Sequence, residues 1–241
     1  MIKLEHTVLP SSDQMEFIIE GMRNPMNSWE KSDSGLYCPD KYGGYIEPIK
    51  WKLGKNDRSL MQRLSNAGTE HRKFMRMMPV YVRITAPLYW WKEADTYKIG
   101  TVANSCSTMH KIQENEFTLD DFSHEHIVCQ TTLDYIIQEL NCWRSRYIQY
   151  DEDETVGINL DMSKKDIWWQ MIQLLPSSYN QTRNVMLNYE VLSNMYHSRK
   201  NHKLDEWKDF CKWVEELPLS DLITNRSDEI DESDNRKEDN Y

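Results

Sequence analysis

Three polar side chains in the last third of the chain, Asn188, Asn194 and Arg199, are of the types that hold carbonyl and phosphate oxygens. An asparagine amide offers a donor and an acceptor, and a guanidinium offers a planar fork that matches phosphate. Asparagine is a mediocre helix former, so each one in a helical segment asks for a partner or for solvent. Arg199 also has an ordinary reading, because a cation near a helix C-terminus complements the helix dipole. From periodicity alone, that ordinary reading has the better claim.

Other chemistry-bearing clusters are weaker. His124-Glu125-His126 with Cys129 has the residue types of a zinc site, but no second Cys or His pair stands at ligand spacing. The expectation there is the start of an amphipathic helix with solvent-facing histidines and no metal. Cys106 lies between Ser105 and Ser107, which supply neither a base nor a positive charge to activate a thiolate. Glu114, Glu116, Asp120 and Asp121 sit among polar residues with no apolar pocket implied to raise a carboxyl pKa. No Gly-x-Gly-x-x-Gly, Gly-x-x-x-x-Gly-Lys-Ser/Thr or Gly-x-Ser-x-Gly occurs, so the common phosphate-loop and serine-hydrolase readings have no support.

The elements that must position these residues follow from pattern and punctuation. Residues 2–9 read as a strand, and Ser12 or Asp13 is a candidate cap for a helix over 14–22. Residues 23–54 carry Pro25, Gly35, Pro39, Gly43, Gly44, Pro48 and Gly54, which predicts loop or short strands. Asn56 or Asp57 is expected to cap a helix to about Asn66, closed by Gly68. Pro79 to Thr85 alternates with period two and is rich in β-branched residues, so it predicts a strand leading into a short aromatic helix from Leu88 to about Tyr97.

Beyond that point the periodicity predicts helices. One carries Leu133, Ile136, Ile137 and Leu140; a second is opened by a Ser163/Asp166 capping box and stopped at Pro176. A third carries Val185, Tyr189, Leu192 and Met195, and a last one Leu204, Trp207, Cys211 and Val214. Asp151-Glu152-Asp153-Glu154 reads as a solvated loop, and residues 225–241 as a disordered acidic tail. The expected architecture is α/β (α+β), with a small sheet from the first half flanked by helices, a helical second half, and one domain over 1–224.

The 241 residues, 39% of them hydrophobic, suffice for one sizeable core. A formal charge of −10 argues against duplex nucleic acid as a partner, since that surface demands a basic face. No stretch approaches a membrane span, and no signal peptide is evident at Met1 to His6. Five scattered cysteines without paired spacing suit reduced thiols, which makes a cytoplasmic setting the expectation. Nine Trp and thirteen Tyr are generous for this length and are expected in the core and at subunit contacts.

Two runs of residues together resemble the flavin-dependent thymidylate synthase family. Leu175-Pro176 is followed, after eleven, five and four intervening residues, by Asn188, Asn194 and Arg199, the family's flavin-contacting asparagines and nucleotide-binding arginine. Ala86-Pro87 is followed by Thr96-Tyr97-Lys98 and, after seven residues, by Cys106, where the family has Arg-His-Arg and Ser. The resemblance covers roughly residues 60–215. The substitutions remove guanidinium forks and leave Lys98 as a point charge. Thr108-Met109 and Ile172 also stand where the family has cations, and Met75 or Arg76 where it has a flavin-contacting His. Each lost bond to a charged group is worth roughly 1.5–3 kcal/mol, so substrate binding depends on replacements elsewhere.

The resemblance implies a homotetramer that binds FAD through Asn188, Asn194 and Arg76. It implies a pyrimidine deoxynucleotide held by Lys98, Asn104, Cys106 and Arg199. The reaction implied is methylation of dUMP to dTMP, with methylene-tetrahydrofolate and NADPH as co-substrates, or a related C5 modification such as hydroxymethylation. A non-catalytic nucleotide-binding or scaffold protein that kept the fold remains the alternative.

Overall fold

The computed structural model describes residues 1–37, 50–150 and 162–225. The acidic run at 151–154, the tail from 226 onward and part of the 23–54 segment lie outside the described residues. In chain order the elements are β1 (Lys3–Val8), α1 (Ser12–Arg23), β2 (Gly35–Tyr37), β3 (Lys50–Lys52), α2 (Lys55–Ser65), α3 (Lys73–Arg76), β4 (Pro79–Pro87), α4 (Leu88–Ala94) and β5 (Val102–Ser105). They continue with α5 (Gln130–Gln149), α6 (Lys164–Leu174), β6 (Asn180–Asn188), α7 (Tyr189–Arg199), α8 (Asp205–Glu215) and α9 (Asp221–Thr224). A four-stranded sheet has the order β1-β4-β6-β5, and β2 pairs antiparallel with β3, Leu36 opposite Trp51.

The α/β class is as expected, but the sheet does not come from the first half alone. Residues 180–188 form a nine-residue strand where a helix through Val185 was the expectation. Val185 and Leu187 are buried on alternate positions, and β6 is an inner strand of the sheet, so pairing overrides the helical spacing of Val185, Tyr189 and Leu192. The short β5 also had no forecast. Glu125 and His126 form a turn, and α5 starts only at Gln130, so the histidines do not open a helix.

The chain forms two compact units. The first comprises Met1–Glu5, Arg83–Thr96 and Ala103–Asn184. Its core gathers Ile112, Phe117, Phe122, Leu133, Leu140 and Met171, with Trp143, Trp168 and Tyr179 packed against them. α5 and α6 meet along this apolar seam. Ser163 caps α6 in a complete capping box with Asp166, as the sequence predicts.

The second unit comprises His6–Val82, Tyr97–Val102 and Val185–Tyr241. α7 packs on α3, α8 and α9, burying Leu192, Met195, Trp207, Phe210 and Val214. α1 is capped one residue earlier than forecast, by Ser11, because Gln14 at the third helical position completes the box with it. α2 starts after Gly54 rather than at Asn56 or Asp57, and ends at Ser65 with Asn66 as its C-cap. Asp57 is fully buried and takes another role: it accepts the Arg23 Nε–H at 2.6 Å, the Ser32 and Ser34 hydroxyls, and the Asp33 and Ser34 amides.

Candidate functional site

The three polar residues of the last third are divided between a helix start, an exposed face and a helix end. Asn188 ends β6 and caps α7: its Oδ1 accepts the Val191 amide at 3.0 Å. Its Nδ2 donates to the Gly100 carbonyl at 3.2 Å. Gly100 adopts φ +80, and a Cβ there would stand 3.0 Å from Asn188 Nδ2, so this turn requires glycine. Asn188 is buried, and both ends of its amide are bonded within the chain.

Asn194 is exposed on α7. At 3.6 residues per turn it points about 140° away from Arg199, so the two do not share a helix face. Arg199 is half-buried in the last turn, where its Nε donates to the Tyr97 hydroxyl at 3.0 Å. Its guanidinium carbon lies 5.0 Å from the Trp207 ring centroid and 5.6 Å from that of Tyr97. Those two rings meet edge to face at 6.3 Å. Cation–π contacts of this kind are worth about 0.5–1 kcal/mol when exposed and about 2 when desolvated. Tyr97, which stands where the resemblance expects a histidine, thus helps Trp207 to orient the arginine.

Arg76, at the end of α3, forks onto Glu190 at the start of α7 through Nε and Nη2. The hydrogen bond it donates to this largely buried carboxylate keeps the Arg76 guanidinium firmly protonated, above its ordinary range. Two of five donors are spent this way, while the side chain is half-exposed. Lys98 is exposed after α4 and has no side-chain partner among the described residues.

In the first unit, Asn104 lies on the exposed strand β5 and Cys106 just beyond it, where the Cys106 amide donates to the Thr182 carbonyl at 2.9 Å. A residue the sequence did not single out organises this neighbourhood. Arg183, on β6, lies 4.1 Å over the Trp91 ring, pairs with Asp95 at 2.8 Å and donates through Nε to Gln181 at 2.8 Å. Gln181 in turn donates to Thr108 at 3.0 Å, and its carbonyl accepts Trp91 Nε1–H at 2.9 Å. Asn180 to Asn184 are all polar, so no apolar alternation marks this half of the strand and singles Arg183 out.

Neither of two cavities, of about 370 Å³ against α5 and α6 and about 520 Å³ against α2, is lined by any of the seven expected site residues. Among the described residues no three His, Cys, Asp or Glu side chains come together to hold a metal ion, and no helix is long and apolar enough to cross a membrane.

No protein-family model matches the chain, and no curated protein matches it. Solved structures do. The flavin-dependent thymidylate synthase of Helicobacter pylori, complexed with FAD and dUMP, is similar with a TM-score of 0.59 at 14% identity, over 93% of this chain and 98% of that one. A second structure of thymidylate synthase X from that organism, also with FAD and dUMP, gives 0.61 at 15% identity, over 93% and 97%. The likeness runs nearly end to end, and the flavin-dependent thymidylate synthase fold expected from the sequence is the fold of this chain.

Proposed function

We propose that this protein binds FAD and a pyrimidine deoxynucleotide and acts at C5 of the base, methylating dUMP to dTMP or making a related C5 modification. The observation that carries this reading is the end-to-end likeness to a synthase holding FAD and dUMP. A fold alone hosts many functions, so the residues must carry the rest.

On the nucleotide side, Arg199 supplies a guanidinium pre-oriented by Tyr97 and Trp207, so little side-chain freedom is lost when it meets a phosphate. Lys98 adds an exposed second cation. Asn104 and Cys106 are assigned to the substrate by resemblance. On the flavin side, Arg76 and Asn194 fit: three guanidinium donors remain beyond the Glu190 pair, and the amide is exposed. Asn188 does not fit, being buried and bonded at both ends of its amide; its role is to cap α7 and hold the Gly100 turn. Bound flavin would supply the hydride, with a folate supplying the one-carbon unit; the chain's own groups supply orientation and charge.

Asn188 also favours a second reading, a nucleotide-binding protein that kept the fold without the flavin chemistry. The Arg199→Ala variant tests the part both readings share. Loss of dUMP binding in calorimetry is the expected result, and unchanged affinity would remove Arg199 from the site.

A further inference from the structure

The cavity of about 520 Å³ against α2 is lined by none of the seven expected site residues. It is lined by Arg23, Met26, Ser28, Lys31, Asn56, Ser59, Leu60 and Arg63. Three of these eight residues are cations and none is a carboxylate, in a chain with 39 acidic against 29 basic residues. The volume falls within the usual range for small-molecule sites. We propose that this groove binds a small phosphorylated compound, with Lys31 and Arg63 as its charge-bearing contacts.

The walls are built before any ligand arrives. Arg23 is buried, and after pairing with Asp57 it donates to the Ser28 carbonyl and hydroxyl at 3.2 and 3.3 Å and to the Lys31 carbonyl at 3.1 Å. Asp57 collects the donors of Ser32, Asp33 and Ser34. Every bond on both sides of this ion pair therefore fixes the segment from Ser28 to Ser34, which carries Lys31. A buried ion pair gains little stability over apolar packing; here it sets the conformation of a loop.

The opposite wall is one face of α2. Asn56, Ser59 and Arg63 line the cavity, while Arg58 and Gln62, on another face, bind Asp221 of α9. Arg58 is thus neutralised, whereas neither Lys31 nor Arg63 has a side-chain hydrogen bond or ion pair among the described residues. A guanidinium and an ammonium facing one groove, with hydroxyl and amide donors beside them, match phosphate oxygens and disfavour a cationic ligand. The two fixed walls reduce the ordering cost of binding.

The test is calorimetric titration of the full chain at low salt with pyrophosphate, inorganic phosphate and dUMP as probes. It compares wild type, the Lys31→Ala/Arg63→Ala double variant and Arg199→Ala. Wild type is expected to bind pyrophosphate. The double variant should bind it at least about tenfold more weakly, each charged donor to phosphate being worth on the order of a tenfold factor. Lys31→Arg should keep the affinity. If dUMP binding also falls in the double variant, the phosphate arrives on a nucleotide; if only pyrophosphate binding falls, it arrives as the free anion. No pyrophosphate binding by wild type, equal binding by the double variant, or loss in Arg199→Ala alone would each overturn the proposal. Both substituted residues are exposed, so unchanged circular dichroism is the folding control. Failure here leaves the Arg199 reading standing, and the reverse holds as well.

Discussion

Asn188, Arg76 and Arg199 are each anchored by direct partners on the chain itself: an amide on a helix start and a turn, a guanidinium on Glu190, another against a phenol and an indole. Around Lys31 and Arg63, in the same unit, the buried Arg23–Asp57 pair holds the scaffold in place and leaves these two cations uncommitted among the described residues. The first arrangement keeps functional side chains oriented through direct partners. The second orients the backbone and lets the side chains meet solvent. Sequence resemblance finds the first kind, because its residue types recur at fixed spacing. Only the assembled structure reveals the second, whose parts come from a loop and from one face of a helix.

The contrast makes predictions of graded size. Asp57→Ala should have the largest effect, about 3–5 kcal/mol lost in urea denaturation, because Arg23 stays buried without its counter-charge. The pair also predicts acid sensitivity. Burial alone would raise the Asp57 pKa, but hydrogen bonds from Ser34, Ser32 and Arg23 outweigh it and hold the carboxyl below its ordinary 3.8. Its contribution is therefore complete above the unfolded carboxyl value and is lost as pH falls through the lower folded one. Asp57→Asn should flatten the acid limb of a stability–pH profile below about pH 4. A profile identical to wild type would contradict the assignment.

Removing the cap with Asn188→Ala should cost about 1–2 kcal/mol, and Asn188→Asp should retain most of it, since only the acceptor oxygen caps the helix. Equal losses in the two variants would mean that the Gly100 bond matters more than the cap. Tyr97→Phe deletes one hydroxyl from a half-buried charged partner, and about 1 kcal/mol in stability and a severalfold loss of dUMP affinity are expected. The groove double variant should lie within about 0.5 kcal/mol of wild type, as exposed sites without partners do. A larger loss would show that Lys31 or Arg63 supports the fold.

The parts of the fold legible in the sequence are those whose signals are local. β4 announces itself by alternation from Pro79 to Thr85, α6 by its Ser163/Asp166 box, and the short helix after Pro87 by its place. β6 was misread because Val185, Tyr189 and Leu192 keep helical spacing across a strand–helix junction, and only pairing with β4 and β5 decides between the two periods. Arg183 was hidden by that misreading. Asp57 looked like a helix cap because nothing local reveals that Arg23, 34 residues away, draws it inward. Arg199 and Asn188 were legible as a spaced pair, but their physical roles differ: one is oriented by rings, the other is spent on a cap.

The most direct test of the central reading is the absorption spectrum of the purified chain after incubation with excess FAD and gel filtration. The account predicts a retained flavin band near one equivalent per chain. A protein that emerges colourless, while still binding dUMP through Arg199, would contradict flavin-dependent chemistry and leave a nucleotide-binding protein on this fold.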